Sequence, residues 1–167
     1  MSTRRAIAPV LAIALLACTA IPAVAVAPDR SKLGPLNVDF EAGLVCDFAV
    51  RWDFVAGGNE FIYPVTPDGD QVIRQVGAIS HATITNLDTG RSVTVRGGAR
   101  LEYVFHADGT VDVTARGIVA AAYFAGDGVG PSMFLFRGNL RDRADATFTL
   151  TAHEFRGNAT DLCAALA

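Results

Sequence analysis

The chain is poor in the residues that usually announce chemistry. Its 167 positions hold three cysteines, three histidines, two methionines, one tryptophan and a single lysine, Lys32. His81, His106 and His153 lie far apart, and neither H-E-x-x-H nor C-x-x-C occurs. Zinc sites draw on such closely spaced ligands, so no metal is expected. G-x-S-x-G is missing as well, and Ser132 stands in "GPSM" without the flanks of a nucleophile turn. Asp68 and Asp70 in "PDGDQ", and Asp127 in "GDG", lack the EF-hand frame and its distant glutamate, and read as turns. No catalytic residue and no cofactor are expected.

A long helical period is also lacking, and the one long apolar stretch is N-terminal. Arg4 and Arg5 precede an uncharged run from Ala6 to Ala20, and "IPAVAVAP" follows with Ala23-Val24-Ala25. A basic start, an apolar middle and a small-residue exit are the layout of a secretory signal peptide over residues 1–25. Pro22 leaves the run short of the roughly 20 residues of a membrane-spanning helix. Pro28 disfavours cleavage after Ala27. Two variants stay open: a twin-arginine signal around Arg4-Arg5, and a lipobox, "LLAC", that would acylate Cys18.

Removing residues 1–25 takes away two arginines and no acid, so the net charge moves from −3 to −5. An acidic chain argues against nucleic acid and anionic membrane as partners, since both need clustered positive charge. Cys18 leaves with the signal, so Cys46 and Cys163 remain as an even pair in an oxidising compartment, where a disulfide is the default.

What is present is β-structure. Residues 26–38 read as a flexible lead-in and residues 39–167 as one all-β domain. Leu44, Cys46, Phe48, Val50, Trp52 and Phe54 alternate with Val45, Asp47, Ala49, Arg51 and Asp53, the period of a half-buried strand. Further short strands follow between turns such as "PDGD", "DTG" and "ADGT". The apolar parity switches at Gly117, which predicts a β-bulge there. Eight or nine strands with direct hairpins predict an antiparallel meander closing as a barrel, with a β-sandwich as the alternative.

The Cys46 segment, "TNLDTGRSV", the "ADGT" hairpin and the terminal "DLCAALA" resemble a set of small exported actinobacterial proteins of unassigned function. That resemblance implies export and an all-β domain with N- and C-terminal cysteines.

Three functions fit these features. One is a binding module for a small apolar or amphipathic ligand, lined by Trp52, Tyr63, Tyr103 and Phe105. A second is a cell-envelope or protein-interaction domain with an exposed sheet face, for example Thr147, Thr149 and Thr151. A third is a barrel enzyme resembling dirigent or allene oxide cyclase proteins, using Arg51 with Glu102 or His106. A Cys46–Cys163 bond ties the first strand to the tail, and closing so long a loop is worth about 4–5 kcal/mol in the chain-entropy model. Cys46→Ala or Cys163→Ala should therefore lower the melting temperature and free one thiol. Two free thiols in non-reducing peptide maps of the secreted protein would refute the bond.

Overall fold

The computed structural model describes residues 26–55, 57–78 and 81–167. The expected signal peptide, and Cys18 within it, lie outside these residues. The described chain is all-β, with eleven strands in two antiparallel sheets: β1 Asp29–Lys32, β2 Leu36–Phe40, β3 Val50–Val55, β4 Asn59–Ile62, β5 Gln71–Ala78, β6 His81–Asn86, β7 Ser92–Arg96, β8 Ala99–Phe105, β9 Val111–Tyr123, β10 Ser132–Ala144 and β11 Leu150–Asp161. A five-residue helix, α1 Leu162–Leu166, ends the chain. No helix among the described residues is long and apolar enough to cross a membrane.

The large sheet runs β1-β4-β5-β8-β9-β10-β11 and the small one β2-β3-β6-β7. Neither closes on itself among the described residues, so the arrangement is packed sheets rather than a closed barrel. Only β8 to β11 form the expected meander. Earlier, the chain shuttles between sheets in pairs, through connections two or three residues long. Each hairpin is local, but its sheet is chosen by packing, which strand-by-strand periodicity does not encode. The expected lead-in carries β1, paired with β4, and β2, paired with β3.

The strand expected from Leu44 begins only at Val50. Residues 41–49 are the loop between β2 and β3, turned at Gly43 (φ +84°). Val45 and Cys46 are both buried, which a strand with one solvated face does not allow. They plug one end of the small sheet together with Leu162 and Leu166 of α1. Cys46 and Cys163 form the expected disulfide, with Cα atoms 5.5 Å apart. Asn86, 2% exposed, completes this plug. Its Nδ2 donates to the Leu166 carbonyl (3.1 Å), while its Oδ1 accepts from the N–H groups of Asp88 and Thr89. The "TNLDTG" turn is thus fastened to the C-terminus.

The architecture turns on three glycines. Gly117, Gly138 and Gly157 sit opposite one another on β9, β10 and β11. Their φ angles are +114°, +150° and +142°, a region that L side chains rarely enter. A Cβ on Gly138 would lie 2.1 Å from the Arg156 carbonyl oxygen, and one on Gly157 2.2 Å from that of Arg137. Glycine rows of this kind let a sheet fold sharply. The fold is visible in what meets. Tyr123 pairs with Ser132, ten residues from Asp142 along β10, or about 33 Å on a straight strand. Yet the Tyr123 hydroxyl donates to Asp142 Oδ2 at 3.0 Å. The far ends of β9 and β10 therefore swing back over their own sheet.

Three layers result. The small sheet packs on Ala120, Met133 and Leu135. The opposite side of that middle layer, with Val119, Tyr123 and Phe136, packs on Ala78, Ala99, Leu101, Ala115 and Leu140 of the third. Register through Gly117 is unbroken, so the expected bulge is not there. The parity switch has another cause: beyond the glycines both faces are buried or half-buried, hence the continuous apolar runs "IVAAAY" and "MFLF". Replacing Gly138 by Ala should cost about 3 kcal/mol or more in urea unfolding. Gly90→Ala is the control, since its φ is +73° but a Cβ there meets nothing within 4 Å among the described residues. Equal costs for the two would contradict the account of the fold.

Candidate functional site

The third layer turns its outer face to solvent, and that face gathers five of the chain's arginines. Cross-strand register sets out two adjacent rows. One is Arg74, Glu102, Thr114, Arg141 and Glu154 on β5, β8, β9, β10 and β11. The other is Val76, Arg100, Arg116, Asn139 and Arg156 on the same strands. Between them they floor an open groove of about 570 Å³ and a smaller one of about 220 Å³, which share Glu102, Thr114 and Arg116. Five arginines and two glutamates face these grooves, so a chain with a net negative charge presents a positive surface here.

Only one of the five is neutralised. Arg74 pairs with Glu102, reaches the Tyr63 hydroxyl at 3.1 Å and lies over its ring at 4.9 Å. The Glu102 hydrogen bond and then the Tyr63 one raise the Arg74 pKa. Arg100, Arg116, Arg141 and Arg156 have no ion-pair partner among the described residues. Arg100 stands directly opposite Arg116. Like charges facing across a ladder destabilise a sheet, so these two do not serve the fold. Exposed guanidiniums in a row can grip carboxylate or phosphate oxygens in bidentate fashion.

The residues expected from sequence to line a ligand do not converge. Trp52 is buried between the small sheet and the middle layer, stacked on Phe54 at 4.5 Å, and its Nε1 has no hydrogen-bond partner among the described residues. Tyr103 and Phe105 stack at 6.4 Å on the inner side of the third layer, where burial raises the Tyr103 pKa. Tyr63 reaches Arg74, on the outer side. Arg51 belongs to the small sheet in a two-bond pair with Asp39 (2.8 Å each), so it meets neither Glu102 nor His106. Thr147 and Thr149 belong to the turn before β11, where Asp145 accepts from both backbone N–H groups, and form no row on a sheet face. Cys46 and Cys163 are spent on the disulfide.

Two histidines sit in carboxylate clusters that the sequence left apart. His153 Nδ1 lies 2.7 Å from Asp142 Oδ1, and the same carboxyl accepts from Tyr123. Burial pushes the Asp142 carboxyl up, and the Tyr123 phenol as well. The cluster clasps the folded sheet, as does Asp127, whose Oδ1 accepts from the Leu150 N–H across the same gap. His106 is held between Asp70 and Asp112, each 3.1 Å from one ring nitrogen, and Arg143 completes the set at 2.8 Å from Asp112. No cluster of three or more metal-ligating side chains occurs among the described residues. Compared with protein-family models, curated proteins and solved structures, the chain matches none.

With both ring nitrogens facing carboxylates, only the doubly protonated His106 donates to both. The Asp112 bond, opposed by desolvation and helped by Asp70, raises its pKa above the ordinary 6.5. A raised folded pKa stabilises fully below the unfolded value and ceases to do so as pH climbs through the folded one. The stability gap between the wild type and His106→Gln should therefore be widest near about pH 6 and close at higher pH. A gap that widens with pH in urea titrations would contradict this.

Proposed function

We propose that the protein is an exported binding module that holds an acidic polymer of the cell envelope against the arginine face of its large sheet. The observation that carries this reading is the cross-strand row Arg100, Arg116 and Arg156, exposed, unneutralised and running over two adjoining grooves that meet at Arg116. Neighbouring strands stand about 4.8 Å apart. Three guanidiniums over β8, β9 and β11 thus span roughly 14 Å, the reach of a few repeats of a linear polyanion. Thr114 and Asn139 add neutral hydrogen-bonding groups between the charges. The N-terminal signal pattern, the disulfide and the resemblance to exported actinobacterial proteins support a reading at the cell envelope. The expected small apolar ligand gives way to an acidic chain because the aromatic side chains fill cores or point to opposite sides of one layer.

Polygalacturonate as a carboxylate polymer and polyphosphate as a phosphate polymer probe the face directly. Calorimetric affinity for one of them should fall linearly on a log scale as salt rises, as when bound charges release counterions. The triple change Arg100→Ser, Arg116→Ser, Arg156→Ser should weaken binding at least ~10-fold, or about 1.4 kcal/mol, with the melting temperature kept. Unchanged affinity in the triple variant would remove the face from the function.

A further inference from the structure

The large sheet ends on β11, whose outer edge pairs with nothing among the described residues. In an antiparallel ladder the N–H and C=O of alternate residues point to the same neighbour. The Asp145 N–H donates to the Thr149 carbonyl, so Asp145 and, by alternation, Arg143, Arg141 and Asn139 turn towards β11. Register then places Ala152, Glu154 and Arg156 in the β10 ladder. His153, Phe155 and Gly157 are left with their backbone groups on the open side. This edge has no lysine and no proline to discourage pairing.

We infer that this edge pairs with the same edge of a second copy, antiparallel and two-fold about Phe155, so that the arginine groove runs on from one copy into the next. Charge selects the register. Centred on Phe155, Glu154 faces Arg156 of the second copy and Arg156 faces its Glu154, on the groove side. Centring on Glu154 or Arg156 instead sets like charges face to face, and registers in between misalign the backbone groups. The ion pairs fall at the non-hydrogen-bonded positions, where opposed side chains come closest. On the other side Phe155, half-buried against Phe136 at 4.6 Å, gains the second Phe155 as cover. Pairing covers residues 153 to 157, before Gly157 turns each strand away, and five residues is an ordinary strand length. A two-fold normal to the sheet keeps the same face outward on both copies, so their grooves run together, with Arg156 ion-paired across the join and Arg100, Arg116 and Arg141 of each copy left unpaired. The pairing stands whether or not an acidic polymer binds there.

Sedimentation velocity on the oxidised chain, signal removed, tests this over a concentration series. The wild type should show a reversible dimer. Glu154→Arg and Arg156→Glu should each raise its dissociation constant at least ~10-fold, since the two-fold counts every change twice. The double exchange Glu154→Arg with Arg156→Glu should bring the constant back. Thermal melts should show that these exposed changes leave the fold intact, and the readout needs no ligand, so it is separate from the polymer test. A wild type that stays monomeric overturns the proposal. So do single variants that dimerise normally, and a double exchange that fails to restore what the singles lose.

Discussion

Three glycines in one register row decide the shape of this protein. With side chains at Gly117, Gly138 and Gly157, β9, β10 and β11 would have to stay extended, because a Cβ would strike the carbonyl of Gly98, of Arg156 or of Arg137 on the neighbouring segment. Without side chains the sheet folds over, and one long sheet supplies two of three layers. The Tyr123–Asp142–His153 hydrogen bonds and the Asp127–Leu150 bond hold it closed. The apolar sequence beyond the glycines then has two faces to bury, one against the small sheet and one against the third layer. The disulfide acts at the other end, fixing α1 over the small sheet through Cys46 and Cys163.

The same fold explains why charge gathers on one face. The middle layer has both sides committed to cores, and the two outer layers have only their inner sides committed. The third offers its outer face, and polar positions of five strands come into register there. Arg100, Arg116 and Arg156 are 16 or more positions apart in sequence but lie in one cross-strand row. No burial or ion pairing among the described residues accounts for them. The acidic remainder of the chain keeps this patch electrostatically distinct, which is what the proposed binding of an acidic polymer uses.

Much of the architecture was legible locally. Alternation in Val50 to Phe54, the "ADGT" hairpin and the Cys46–Cys163 pairing all appear as read. The errors share a physical origin. Apolar alternation through Leu44 to Ala49 continued past the strand because those residues plug an open sheet end. The parity change at Gly117 was real, but it recorded a second buried face and not a bulge. Sheet membership of each hairpin depends on packing partners far along the chain. The candidate site was harder to see. Each arginine sits at an unremarkable polar position of its own strand, and an acidic composition argued against any basic patch. Only the register between β8, β9, β10 and β11 assembles it.

The most direct test of this account is a proton NMR measurement of through-space contacts between the Tyr123 ring and the rings of His153 and Phe136. The ring centroids lie 5.4 Å and 6.2 Å apart, within reach of such contacts. The folded sheet predicts cross-peaks from Tyr123 to both residues. A straight sheet keeps Tyr123 near Phe134 and Phe136 but about 30 Å from His153. Strong Tyr123–Phe136 contacts with none to His153 would contradict the fold-over, and with it the exposure of a single arginine face.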